Sequence, residues 1–383
     1  MSHLPPSPAV AILPIPAVRA MLQLARTLRG LALNHPHPLP DTPSTAHFDP
    51  GHEAVMMGYD FHLTPHGPRL IEVNTNAGGL LMAHVAQHPG FPSGPEFPFP
   101  LLDPNNRRQQ RLINSFTEEM RLFAHQPIQR MVILDEKPEE QFLYPEMVAC
   151  AKLMSEAGIA CRIVDPNELD MDETGVFLQG ERVDLIYNRH CDFYLQTPPL
   201  AGLRAAWLNR RVCLSPNPRA YGLLADKRHL VNWSDATHLR TLGCDAPTIA
   251  RLTTLIPETR LLATLEPETV WKERARWVFK PGTGGFGGRG VLLGEKISRT
   301  RFNTLDPTHT LVQRHIPPAL VTTPQGAPFK TDIRLFMYRD RLLGIGVRAY
   351  RGQVTNFREP GNGFLPVRLI QASDGVYPLE QSR

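Results

Sequence analysis

The chain has 383 residues, with 41 Lys+Arg against 37 Asp+Glu, 42% hydrophobic and 20% charged residues, so it is too long for one ordinary domain and too apolar to be disordered. A net charge of +4 without a dominant Lys/Arg run gives no electrostatic basis for nucleic-acid or membrane-surface binding, and no run of 18 apolar residues offers a membrane span. The five cysteines (Cys150, Cys161, Cys191, Cys213, Cys244) are far apart and form no CxxC pair, which predicts reduced thiols and a cytoplasmic protein.

The first eighteen residues are broken by prolines and lack the basic leader and continuous apolar core of a signal peptide. Prolines, 38 in all, punctuate His35 to Pro50 and His88 to Pro104, which read as loops or linkers. Between them, two short apolar runs (Tyr59 to Leu63, Arg69 to Val73) flank the turn signal Thr64-Pro65-His66-Gly67 and predict a β-hairpin. From Arg130 the pattern runs strand (MVILDE), helix from Tyr144 to Ala157 closed by Gly158, strand (CRIVD), hairpin (VFLQGERV), strand (DLIYN) and a short strand in RRVCLSPNP. That alternation predicts an open, Rossmann-like α/β unit with ligands at the sheet edge.

A helix is expected around LLADKRHLVNWS, then the segment WVFKPGTGGFGGRGVLL and the strand THTLVQRHI. The stretch KTDIRLFMYRDRLLGIGVRAYRGQVTNF alternates like an antiparallel meander with turns at Arg339-Asp340 and Arg351-Gly352. No internal repeat of 20 to 50 residues is present.

Residues 282 to 290 hold six glycines in nine positions, and Lys280 stands just before them on an apolar run. Glycine at this density lets backbone N–H groups approach an anion, and the lysine supplies countercharge. Gly282, Gly284 and Gly287 satisfy GxGxxG, but the following VLLGE reads as a strand where a dinucleotide fold needs a helix. No GxxxxGK[ST], HRD or DFG is present, which leaves a flap over phosphates or a plain glycine-rich surface hairpin.

On the predicted hairpin, Glu72 and Asn74 are two apart and share a face, with Asp60 brought opposite by the turn. Three hard oxygen donors so placed suit magnesium shared with phosphates; alone, they also fit a polar hairpin end.

At these residues the chain resembles the ATP-grasp superfamily of ATP-dependent ligases, whose metal strand carries Asp, then Glu twelve positions on, then Asn two further, the spacing of Asp60, Glu72 and Asn74. In that superfamily the metal module follows the glycine loop, the adenine hinge and a strand beginning DIR. Here Lys280-Pro281, the loop, LVQRHI and DIRLFMYRDRLLGIGVRAYRGQVTNF come late, and the hairpin stands at the front. The sequence therefore looks like a circularly permuted ATP-grasp protein, similar to the glutathionylspermidine synthase-like group, over residues 51 to 80 and roughly 128 to 365. Permutation costs little when native ends lie close together at the surface.

The resemblance implies an α/β (α+β) fold in four parts: an N-terminal segment, 1–125, carrying the permuted metal hairpin and packing on the C-terminal lobe; a Rossmann-like pre-ATP-grasp substrate domain, 128–218; a lid subdomain with the glycine loop, 219–307; and a C-terminal lobe, 308–383. It implies that Lys227 and Lys280 hold ATP phosphates under a loop including Gly284, Gly285, Gly287 and Gly288, and that Gln313, Arg314, His315 and Ile316 form the adenine hinge. Asp60, Glu72 and Asn74 would bind Mg2+, Glu72 bridging, while Arg334, Arg348 and Asn356, with Arg358 beside them, would position the transferred phosphate. Arg314 stands where the superfamily often has an acidic residue, and NTNAGG where it often has a proline.

The implied chemistry joins a small-molecule carboxylate, an amino acid or peptide among the candidates, to an amine through an acyl phosphate. Positioning and charge neutralisation suffice for it, without a protein nucleophile. Substrate choice would lie at strand-end groups such as Arg189, His190 and Asp192, or Glu139 and Tyr144. Two other classes compete: a nucleotide-binding scaffold that no longer ligates, and a Rossmann oxidoreductase using the GxGxxG.

Overall fold

The computed structural model describes residues 10–87, 107–283, 290–322, 328–353, 355, 357, 359 and 361–371 of the chain. Alternating apolar and polar residues make Met57–Thr64 and Gly67–Asn74 the arms of a hairpin, closed by Pro65 and His66. Gly67 supplies the positive φ of 98° that this turn requires. The hairpin is wider than the predicted runs and carries a feature that the alternation hides. Asp60 pairs with Glu72 but Phe61 pairs with Leu70, so Ile71 is the extra residue of a β-bulge.

The first arm hydrogen-bonds to a strand from the other end of the chain. The six-stranded sheet runs in the order Gly363–Leu365, Arg341–Tyr350, Pro328–Tyr338, Met57–Thr64, Gly67–Asn74, with Ala319–Thr322 also on Pro328–Tyr338, and its pairs are antiparallel. The expected turn at Arg339-Asp340 joins its two longest strands. The first and last strands of the described residues pair too, Ala11–Pro14 running parallel to Val367–Ile370.

Both faces of this sheet are covered. Tyr59, Phe61, Ile333, Leu335 and Met337 pack on Met21, Leu24 and Leu28 of the helix Ile15–Asn34. The prolines that read as breaks lie at this helix's start, where a missing N–H breaks no intrahelical bond. The intervening residues Phe336 and Tyr338 point the other way, onto Leu80, Phe116 and Met120 of the helices Leu80–Ala86 and Arg107–Ala124. The polar residues Asp60, Glu72, Arg334 and Arg348 alternate with the first set and therefore share this second face.

The second core is continuous with a four-stranded parallel sheet, ordered Cys213–Ser215, Leu185–Asn188, Arg130–Leu134, Ala160–Val164. Its faces carry the helix Tyr144–Glu156, ended by Gly158 at φ 84°, and the helix Ala201–Leu208, whose Trp207 is fully buried. The expected hairpin in VFLQGERV forms part of a small three-stranded sheet, Asp170–Asp172, Gly175–Leu178 and Glu181–Arg182.

A fourth sheet orders Thr259–Leu261, Thr310–Arg314, Trp277–Pro281 and Leu292–Leu293, all antiparallel. Val278 and Phe279 pair with Leu293 and Leu292, so the strands flanking the glycine loop are the two arms of one hairpin. The helix expected over LLADKRHLVNWS is not continuous. A π-helical turn, Tyr221–Ala225, ends at Asp226, which is extended at ψ 116°, and a new helix spans His229–Ser234. Asp226 accepts both Nε and Nη2 of Arg228 at 2.9 and 2.7 Å, and this local ion pair competes with helix continuation at Lys227. Among the described residues no helix is long and apolar enough to cross a membrane.

Candidate functional site

Register builds the site. Asp60 lies directly across from Arg334 on one side and from Glu72 on the other, so three charged residues from three strands form one row. Arg348 lies opposite Asp332 on the next strand pair and closes the cluster. Asp60 is buried, and Arg334 grips it side-on, Nε to Oδ1 and Nη2 to Oδ2 at 2.6 Å each. Arg348 adds Nη2 to Oδ2 at 2.9 Å while its Nε donates to Asp332 at 2.5 Å. Burial alone would raise the Asp60 carboxyl, but the two guanidinium groups outweigh it and hold it at about 2.

Glu72 differs from Asp60 in what it faces. Its side chain keeps 23% exposure against 4% for Asp60, and the nearest cation is Lys227, whose Nζ lies 3.8 Å from Oε2. Burial pushes the Glu72 carboxyl up, Lys227 and Lys280 pull it down, and the net shift is downward. Asn74 donates Nδ2 to both Asp60 Oδ2 and Glu72 Oε1 at 3.2 Å, which places the three expected oxygen-bearing heads within one hydrogen-bonding cluster.

The two lysines reach this cluster from separate elements. Lys227 is held where the helix breaks, because Asp226 is fixed by Arg228 and by Tyr194, whose hydroxyl donates to it at 3.0 Å. Lys280 is buried on Trp277–Pro281 and donates Nζ to the Ile71 carbonyl at 3.1 Å, at the residue the bulge inserts. Burial lowers Lys280, Glu72 partly restores it and Lys227 lowers it again, leaving it at about 8. A buried lysine pair facing one partly exposed carboxylate is poised to accept a polyanion.

The expected hinge runs out of the strand Thr310–Arg314. Gln313 is buried and donates Nε2 to Thr259 at 3.2 Å, and Arg314 lies 5.5 Å from the Trp277 ring centre. The backbone N–H of His315 donates to Arg276, and the Ile316 carbonyl accepts Nδ1 of His62 at 2.6 Å. His62 is two residues beyond Asp60, so one strand carries both an acid of the cluster and the clamp on the hinge. Gly284, Gly285, Gly287, Gly288, Asn356 and Arg358 lie outside the described residues.

Of the strand-end candidates, Arg189 is buried beside the loop that follows Asn74. Asn76 donates Nδ2 to the carbonyls of Arg189 and His190 at 3.0 and 2.8 Å, and Arg189 Nη1 returns a bond to the Asn76 carbonyl at 3.0 Å. His190 and Asp192 shape their own loop: His190 Nδ1 accepts from the Asp192 N–H, and Asp192 accepts from the Thr197 N–H. Glu139 is exposed on the one-turn helix Pro138–Glu140, and Tyr144 is half-buried at the start of its helix, neither being in the charged cluster.

Sequence reasoning missed His62, Asn76, the Ile71 carbonyl and Asp226. The signal for Asp226 was its own spacing to Arg228; the others are recognised only through partners more than 100 positions away.

The oxygen donors fit a hard divalent cation. Asp60 Oδ1 accepts one hydrogen bond and retains a lone pair, Glu72 is the open carboxylate, and Asn74 has an amide oxygen to turn inward. Among the described residues no group of three or more His, Cys, Asp or Glu side chains is placed to hold a metal, so Asn74 is needed to complete a set.

No protein-family model matches the sequence, and no curated protein matches it. Among solved structures the chain is similar to a putative gamma-glutamylcysteine synthetase from Methylobacillus flagellatus KT, at a TM-score of 0.53 and 12% identity over 91% of this chain and 85% of that one. The ATP-grasp ligase PsnB, in complex with a phosphomimetic minimal precursor, Mg and ADP, matches at a TM-score of 0.28 and 13% identity over 61% and 86%. The first likeness shows a shared fold; the second is too slight to add to it.

Proposed function

We propose that this chain is an ATP- and Mg2+-dependent carboxylate–amine ligase of circularly permuted ATP-grasp architecture. The observation that carries the reading is the convergence of Lys227 and Lys280 on Glu72, beside the acid–arginine row of a sheet built from both ends of the chain. The pairing of Ala11–Pro14 with Val367–Ile370, which brings early and late strands together, is compatible with a permuted chain. In this reading the four segments 1–125, 128–218, 219–307 and 308–383 are hairpin-bearing segment, Rossmann-like substrate domain, lid and C-terminal lobe.

Lys227 and Lys280 neutralise ATP phosphates in a site where burial strengthens each charge interaction. Asp60, Glu72 and Asn74 would hold Mg2+, which supplies charge neutralisation on phosphate oxygens when bound. Arg334 and Arg348 are fixed by Asp60 and Asp332, so their charge is in place before substrate arrives. A substrate carboxylate oxygen attacks the γ-phosphorus as the bond to ADP breaks. An amine then attacks the acyl carbon, loses its proton and expels inorganic phosphate. Gln313 to Ile316 receive the adenine, and Asn356 and the glycine loop assist the phosphates.

The test is release of ADP with mixed amino acids and amines, followed by a mass search for a product equal to two reactants less water. Turnover abolished in Glu72→Gln with ATP still bound supports the ligase. Tight ATP binding without turnover in the wild type supports the scaffold instead.

A further inference from the structure

The turn that carries Lys227 is built on Asp226, which is 1% exposed. Most of its bonds are local. The carboxylate takes Nε, Nη2 and the backbone N–H of Arg228, the Asp226 N–H donates to the Tyr221 carbonyl, and the Asp226 carbonyl accepts from the His229 N–H. These bonds shape the turn but do not place it in the molecule. Among the described residues the one hydrogen-bond partner of Asp226 outside that turn is Tyr194, whose hydroxyl donates to Oδ2 at 3.0 Å. A donor taken from a buried carboxylate is not replaced by bulk water, so this bond weighs more than one at the surface.

Tyr194 belongs to residues 189–197, the loop that leaves the parallel strand Leu185–Asn188. That loop is braced along its length. Asn76, two residues beyond Asn74 of the oxygen cluster, donates to the carbonyls of Arg189 and His190 at 3.0 and 2.8 Å. Thr45 Oγ1 donates to the Tyr194 carbonyl at 2.9 Å, and Arg204 Nη1 to the Leu195 carbonyl at 3.0 Å. Leu195 is fully buried at φ 58°, a left-handed conformation that a branched side chain rarely adopts. The reversal sends Leu195 into the core of the parallel sheet while the preceding Tyr194 reaches out to Asp226. The same loop grips the other end of the turn: Phe193 stacks on Tyr221 with ring centres 4.3 Å apart, and Tyr194 meets that ring edge-on at 5.0 Å.

We propose that Tyr194 is a positioning residue for Lys227. Its hydroxyl, acting through Asp226, holds the ammonium beside Glu72, so the parallel-sheet unit sets the nucleotide affinity of a lysine that it does not itself carry. The nucleotide half of the claim rests on the ligase reading; the placement of Lys227 stands on the geometry of the turn alone.

The experiment uses the full chain with two probes: ATP with Mg2+, by titration calorimetry, and trace acetylation by acetic anhydride, with each lysine read by peptide mass spectrometry. Tyr194→Phe keeps the ring and removes only the donor. It should weaken ATP about fivefold and raise the acetylation of Lys227 about threefold, with buried Lys280 and exposed Lys152 unchanged as internal references. In a Lys227→Met background the same change should leave ATP affinity within about 1.5-fold, because the positioned group is gone. A general loosening of the fold would instead raise Lys280 labelling together with that of Lys227 and weaken ATP equally in both backgrounds. Either result overturns the inference, as does unchanged labelling of Lys227 in Tyr194→Phe. If wild type does not bind ATP, the ligase reading falls, and the acetylation ratio of Lys227 to Lys280 still decides whether Tyr194 positions the lysine.

Discussion

Arg334 and Asp60 face each other across directly paired positions of adjacent strands, 274 residues apart in sequence, and share two hydrogen bonds of 2.6 Å. Arg348 bonds to Asp60 and to Asp332, so two carboxylates balance two buried guanidinium groups. Removing Asp60 takes the ion pair from Arg334 and leaves one buried charge unmatched. Asp60→Ala should therefore lose about 3–5 kcal/mol in urea unfolding, whereas Glu72→Gln, at the open side of the cluster, should lose about 1 kcal/mol or less. Equal losses in the two variants would contradict the division between a structural acid and an open one.

The same pair sets an acid limit. Asp60 is held at about 2 against an ordinary value of 3.8, so its contribution to stability is fully present above about pH 4 and is lost as pH falls from about 4 to 2. The size is about 2 kcal/mol. Comparing the pH dependence of unfolding between wild type and Asp60→Asn should show this slope in the wild type and its absence in the variant.

Lys280 titrates in the opposite sense. Its value of about 8 lies below the ordinary 10.5, so the folded state disfavours the charge and gains stability as pH rises from about 8 to 10.5. Nucleotide phosphates favour the charged form, so ATP affinity should fall, by up to about tenfold per pH unit, above pH 8. Titration calorimetry from pH 7 to 9.5 should show that fall in wild type, and Lys280→Met should bind weakly with a flat profile.

The face shared by Asp60, Glu72 and Asn74 is readable from strand alternation, because a period of two is local. So is the hairpin that begins at the strand of Lys280, from glycine density between two apolar runs. What alternation cannot reveal is a bulge: Ile71 sits in a regular-looking run, and only the partner strand shows that it is unpaired and free to receive Lys280. LLADKRHLVNWS has helical spacing, but the Asp226–Arg228 pair that interrupts the helix at Lys227 is a side-chain contact, which spacing does not show. Prolines hide the helix Ile15–Asn34 although they lie at its start, where they are harmless. Arg189 and Asn76 bond to each other across 113 residues, and nothing local to either announces it.

Gly78 lies between Arg334 and Arg189, and Arg334 donates Nη1 to its carbonyl at 3.3 Å. A Cβ there would lie 2.3 Å from Leu143 Cδ1 and 2.5 Å from Arg189 Nη2, inside any tolerated contact. Gly78→Ala should displace Arg189 and cost about 1–3 kcal/mol. Urea unfolding should show that loss, and an unchanged midpoint would mean that the Leu143 and Arg189 side chains move aside freely.

His62 offers the finest separation. Because the Ile316 carbonyl can only accept, His62 must carry its proton on Nδ1, at 2.6 Å. Burial lowers its pKa, so it is neutral at physiological pH, and either protonation state keeps the Nδ1 donor. Asparagine places its amide nitrogen near the position of Nδ1, while glutamine mimics Nε2. His62→Ala and His62→Gln should thus raise the KM for ATP about fivefold, for one lost hydrogen bond of about 1 kcal/mol, with kcat little changed, and His62→Asn should restore most of it. If the alanine variant instead lowers kcat with KM intact, His62 acts on the acid cluster two residues away and not on the hinge.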